Sequence, residues 1–196
     1  TKKVTPKTMT LDLQKGNYNQ TNGSIFLGNT SEKISVLGFV SRNTSDGYRY
    51  NTDYDQNQFF IKSSFNRHKT PLEFIASYSG RKFGSNGFYA TPSAMDQYEE
   101  TQASLISLSQ RHKKGAWIFK PKVYWRRGQD MYEYIRNKPE IYRNLHVTNK
   151  LGAAFDSSLV SDWGQTGMGF DISSVGIRSN NLGDRSRTMM NFFIEH

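Results

Sequence analysis

The sequence predicts an all-β chain of the up-and-down transmembrane barrel type, and three observations carry that expectation. Apolar residues recur with period two over stretches of about ten residues, while helical periodicity is weak almost throughout. Short and long connections alternate along the chain. Finally, the best-defined stretch carries a tryptophan at each end of one face. A soluble sandwich has no need to gather short turns at one end and long loops at the other, whereas short periplasmic turns and long extracellular loops define outer-membrane barrels.

About ten strands follow in order, near 5–13, 21–29, 33–43, 56–66, 71–82, 99–111, 115–127, 145–156, 165–177 and 188–196. In 33–43 the apolar face is ambiguous, because Val36 and Val40 compete with Leu37 and Phe39. Residues 57–65 set Phe59, Ile61, Ser63 and Phe65 against Gln58, Phe60, Lys62 and Ser64, and residues 72–79 set Leu72, Phe74, Ala76 and Tyr78 against Glu73, Ile75, Ser77 and Ser79. The clearest strand places Trp117, Phe119, Pro121, Val123 and Trp125 on one face and Ile118, Lys120, Lys122, Tyr124 and Arg126 on the other. Its two tryptophans are roughly 20 Å apart along a membrane normal if the strand tilts about 40°, close to the ~25 Å apolar band between aromatic girdles. Val147, Leu151, Ala153 and Phe155 then alternate with His146, Thr148, Lys150 and Asp156, and Met168, Phe170 and Ile172 alternate with glycines and polar residues. Tight turns are expected at 29–32, 67–70 and 112–114, a slightly longer one at 157–164, and long loops at 44–55, 83–98, 128–144 and 178–187.

The composition of the 196 residues narrows the function classes. There is no Cys, which excludes a disulfide scaffold, a thiolate zinc site and a cysteine nucleophile. No run approaches 18 apolar residues, so a transmembrane helix is excluded. A hydrophobic share of 35% with 14% aromatics suits strands that show lipid only every second residue, diluted by polar loops. The net charge of +9 is spread along the chain, and its tightest cluster, Arg111 to Lys114, lies at an expected turn, so no nucleic-acid partner is expected. The four His residues show neither zinc nor triad spacing, and 164–169 is glycine-rich but opens a strand and lacks a following Lys-Ser/Thr, so no enzyme is expected. The chain begins Thr-Lys-Lys and stops inside an expected strand, which reads as a piece of something longer.

Several segments resemble TonB-dependent outer-membrane receptors, in particular the cobalamin-receptor-like type of Bacteroidetes. They are Thr1 to Lys3 with Lys15 to Ser24, Ser45 to Tyr54, Phe83 to Tyr89 followed by Tyr98 to Thr101, Tyr124 to Arg127, and Ser179 to Arg187. The resemblance implies that the chain is the N-terminal part of a barrel of roughly 22 strands, without its plug. It implies uptake of a large scarce nutrient across the outer membrane, cobalamin first and a ferric siderophore next. It also implies the TonB energy-transducing complex as partner through the plug, outer-membrane lipid around the barrel, and a surface lipoprotein as a further partner.

Candidate site residues fall into three groups. Lys62, Lys120, Lys122 and Arg126 are expected to face the lumen, which barrel interiors fill with polar residues in any case. The loop aromatics Tyr48, Tyr50, Phe88, Tyr89, Tyr132 and Tyr134, with Tyr98 and Tyr142 nearby, are expected to hold ligand, against the competing reading that they pack the loops together. Asp46, Asp53 and Asp55 lie close in sequence, and the resemblance implies Ca²⁺ there. Their spacing is not that of an EF-hand, and a solvated acidic loop is the competing reading. No cofactor is required. Competing with the receptor reading are a soluble all-β ligand- or carbohydrate-binding module and a complete small outer-membrane barrel.

Overall fold

The computed structural model describes residues 7–65 and 70–196. They contain eleven strands and no helix: β1 (Lys7–Lys15), β2 (Thr21–Thr30), β3 (Ile34–Ser45), β4 (Tyr54–Phe65), β5 (Leu72–Gly84), β6 (Tyr98–Gln110), β7 (His112–Lys114), β8 (Trp117–Glu133), β9 (Arg143–Ser161), β10 (Gly164–Ser179) and β11 (Arg185–Glu195). All belong to one antiparallel sheet ordered along the chain, except that β6 pairs with β8 and the short β7 pairs only with β8. The sheet is open, with β1 and β11 as its two edges.

The β6–β7 break has a local cause. Ser109 pairs with Lys122 and His112 with Phe119, so unbroken pairing would set Gln110 opposite Pro121. Proline has no N–H to give the ladder, and pairing lapses there. The turn expected at 112–114 is therefore corrected: those residues are β7, and the chain reverses at Gly115 and Ala116, where Gly115 takes φ +60°. The loop expected at 128–144 is likewise shorter. β8 runs on to Glu133 and β9 begins at Arg143, because polar residues pair as readily as apolar ones above the apolar run. The turn expected at 67–70 falls mostly outside the described residues. Loops 46–53, 85–97, 134–142 and 180–184 share one end of the sheet with the 16–20 turn, and the shorter connections share the other.

The pairing register joins the separate alternations into one face. Met9, Leu11 and Leu13 of β1 continue through Ile25 and Leu27, Val36 and Val40, Phe59 and Ile61, Phe74 and Tyr78, Ile106 and Leu108, Val123 and Trp125, Leu151 and Phe155, and Phe170 and Ile172 to Met190 and Phe192. This settles β3, where Val36 and Val40 lie on the apolar face and Leu37 and Phe39 on the other. Charge flanks the apolar run on both sides: Lys15, the Arg42–Asp55 pair at 2.8 Å, the Lys82–Glu100 pair at 3.3 Å, Arg127 and Arg178 toward the long loops, and Lys7 and Lys114 toward the short turns. The run also drifts across the sheet. The hydrogen-bonded row through Leu11 reaches Ser186 in β11, whose own apolar run centres on Phe192, about six residues along. Over nine strand steps that drift corresponds to strands inclined about 25° to the band's normal.

No second layer covers this face among the described residues. Among the described residues only Tyr98 and Met131 are buried hydrophobics, whereas Leu151 is 63% exposed and Phe192 72%. The accessible surface of 13646 Å² exceeds the roughly 9,500 Å² expected of a compact chain of 22.5 kDa. Ser41 and Ser173, on the polar face, are buried. The apolar side chains thus lie on an uncovered sheet face instead of packing into a core as they would in a soluble domain.

Candidate functional site

The long-loop end of the sheet is tied together by Gln97, the residue before β6 and the one fully buried polar side chain of its region. Its Nε2 donates to the Tyr132 hydroxyl at 2.7 Å, and its Oε1 accepts from the Tyr89 N–H at 3.2 Å. Its backbone carbonyl accepts from Asn51 Nδ2 at 2.6 Å and from the Ser85 N–H at 2.9 Å. One residue thus holds loops 46–53 and 85–97 against β8. Asn51 also donates to the Met95 carbonyl at 2.8 Å. Gly84 makes the approach possible, since a Cβ there would sit 2.5 Å from the Asn51 carbonyl oxygen.

Loop 134–142 joins through Arg136. Its guanidinium meets Asp53 as a two-pronged pair at 2.6 and 2.9 Å, reaches Asn51 Oδ1 at 3.2 Å, and stacks 4.5 Å from the Tyr98 ring centre. The hydrogen bonds from Arg136 hold the Asp53 carboxyl below its ordinary range, the direction expected when the charged form is the one bonded. On the other face, Tyr89 packs edge-on against Phe88 at 4.9 Å and against Tyr132 at 5.7 Å, and Tyr132 against Tyr142 at 6.3 Å. Burial raises the Tyr89 hydroxyl pKa, and a hydrogen bond with Glu99 raises it further, so that phenol stays protonated.

The structure brings some of the expected aromatics together and leaves others apart. Phe88, Tyr89 and Tyr132 form one cluster, with Phe88 80% exposed at its rim. Tyr132 lies in β8 rather than in a loop. Tyr134 is exposed, and its N–H donates to the Tyr142 carbonyl beside the cluster at 3.1 Å. The Tyr50 hydroxyl donates to Asp96, which fixes it as a loop tie. Tyr48 stands exposed with the Arg49 guanidinium 4.8 Å from its ring centre.

Asp46, Asp53 and Asp55 are held in three separate pairings. Asp46 accepts from Asn19 at 2.5 Å, Asp53 pairs with Arg136, and Asp55 takes Arg42 at 2.8 Å and Asn57 at 2.8 Å. Lys62, Lys120, Lys122 and Arg126 all lie on the polar face, where Lys62 pairs with Glu73 at 2.5 Å. Gln97, Asn51 and Arg136 were not singled out from sequence. No spacing marks a loop side chain that acts by touching two other loops.

The arrangement offers an aromatic, partly exposed surface on a braced loop platform, at the head of a polar sheet face. No protein-family model matches the sequence, and no curated protein matches it.

Proposed function

We propose that this chain is part of the β-barrel of a TonB-dependent outer-membrane receptor, which captures a large scarce nutrient at its extracellular loops and passes it inward under plug control. The observation that carries the reading is the apolar face, continuous over ten strands, exposed, and edged by charge on the long-loop side. Burying such a face needs a nonaqueous medium, and a lipid bilayer supplies one without a second protein layer. The open edges β1 and β11 require further strands to complete the barrel, since unpaired backbone groups are not tolerated in hydrocarbon. The drift of the apolar run supports inclined strands, although about 25° is shallower than the 35–45° usual in such barrels.

In this reading the polar face lines the lumen, and Lys62, Lys120, Lys122 and Arg126 line the route of the nutrient. The cluster of Phe88, Tyr89 and Tyr132, with Tyr134 beside it and Tyr48 and Tyr50 in the next loop, makes first contact. Cobalamin is placed before a ferric siderophore because the resembling segments are of the cobalamin-receptor-like type, and a broad aromatic surface suits a large corrinoid. Calcium is not required. Energy comes from the TonB complex through the plug.

The test is uptake of radiolabelled cyanocobalamin by cells carrying the full gene. Replacing Phe88 and Tyr134 by Ala, two exposed rings outside the Gln97 bonding, is expected to slow uptake about tenfold through loss of stacking contact, with the polypeptide still in the outer-membrane fraction. Unchanged uptake, or recovery of the polypeptide in the soluble fraction, would contradict the proposal.

A further inference from the structure

The sequence singled out Lys120, Lys122 and Arg126 one strand at a time, but the register shows what surrounds them. Arg126 of β8 lies directly opposite Lys150 of β9, and the same row reaches Val175 and then Arg187 of β11. Like charges directly opposed across a sheet destabilise it unless an anion sits between them. One row down, the Tyr124 ring lies over Gly152, where a Cβ would come within 2.5 Å of the ring, so only glycine permits this placement. The Lys122 and Lys150 ammonium groups stand 5.2 and 5.5 Å from the centre of that ring. None of Lys120, Lys122, Arg126, Lys150 and Arg187 has an ion pair among the described residues. The acids nearest them are Asp171, which accepts from the Tyr124 hydroxyl at 3.2 Å and Asn191 at 3.4 Å, and Asp156, opposite Lys120. In the row of Tyr124 and Gly152, Ser173 is 2% exposed and its hydroxyl has no hydrogen-bond partner.

We infer that this ledge, formed by Lys122, Tyr124, Arg126, Lys150 and Arg187, binds the phosphate group of a phosphate-bearing small molecule. The row from Arg126 to Arg187 spans three strand steps, about 14 Å between backbone positions, a span that the long side chains at its two ends can close by bending toward one anion above Lys150. Arg126 offers a forked donor, and the two lysines add point charges. The ledge is continuous with the loop platform, since Tyr132 and Arg126 share one face of β8, about 20 Å apart along the strand. A large ligand stacked on the aromatic cluster would therefore carry an anionic group along this face toward the ledge. That continuity favours a small molecule over an acidic polypeptide. The inference rests on the uptake reading for its biological use, and it names the chemistry of the nutrient: a large molecule that presents phosphate.

The test uses the full-length protein encoded by the gene, folded in detergent micelles, with inorganic pyrophosphate as probe, followed by ³¹P line broadening. Saturable broadening is expected, with the half-saturation concentration raised about tenfold in R126Q/K150Q, as expected for losing charge-assisted hydrogen bonds, and partly restored in R126K/K150Q. K113Q/K114Q removes equal charge from a distant hairpin and is expected to leave the titration unchanged. An equal loss in K113Q/K114Q would reduce the effect to net charge and overturn the inference. So would the absence of saturable broadening in the unsubstituted chain, or binding of poly-glutamate that pyrophosphate does not displace, which would assign the ledge to an acidic polypeptide. Because this titration needs no transport, it can succeed where the uptake experiment fails, and the reverse.

Discussion

Ala153→Arg is expected to cost about 2–4 kcal/mol of folding stability in a phospholipid bilayer, the range for a cation on a lipid-facing position near the midplane. Ala153 lies on the apolar face between Leu151 and Phe155, directly opposite Val123 and Ile172. Its neighbour Ala154 lies on the polar face opposite Lys122 and Asp171, so Ala154→Arg should change stability by well under half as much. Urea titration of the two variants in the same bilayer gives the comparison. Two adjacent alanines of equal size isolate the identity of the faces from volume and strand propensity. Equal costs at the two positions would mean that neither face meets hydrocarbon.

The second large effect belongs to the loop platform. Gln97→Ala removes the side-chain partners of the Tyr89 N–H and of the Tyr132 hydroxyl at a fully buried position, and leaves a gap as well. The expected cost is about 2–4 kcal/mol from an orphaned buried amide and the lost volume. The damage is local, because the strands below the platform keep their pairing. Amide exchange should therefore accelerate in 85–97 and around Asn51 while β3, β4 and β9 stay protected. The substitution Arg136→Ala acts on the same platform from the other face, but its pair with Asp53 is about one-third exposed and partly screened, so its effect is smaller. If exchange in 85–97 were unchanged in Gln97→Ala, the loops would be held by something other than this residue.

Strand existence and facing were legible in the sequence because period-two alternation is a local property. Trp117 to Trp125 declared its two faces without any partner, and so did Leu151 to Phe155. What local pattern could not decide was β3, where both faces carry bulky apolar residues and only the pairing of Val40 with Phe59 and Ile25 chooses between them. Strand ends were also hidden. β8 runs six residues beyond Arg127, through Gly128 and polar residues that read as loop. The platform was half legible. Aromatic residues announce themselves, so Phe88, Tyr89 and Tyr132 were found, but Gln97 and Arg136 earn their positions from contacts 35 to 83 residues away in sequence. The partners of the three aspartates were not legible either, because each is bonded to a different residue well apart from it in sequence.

Central to the account is the claim that the more exposed, apolar face meets lipid and the polar face meets water. The chain contains no cysteine, so single-cysteine spin labels can be placed at will. Labels at Val123, Leu151 and Phe170 report one face, and labels at Lys120, Thr148 and Asp156 report the other. In bilayers, the first set is predicted to collide freely with oxygen and poorly with a water-soluble nickel chelate, and the second set to show the reverse. Equal access of the nickel chelate to both sets would contradict it.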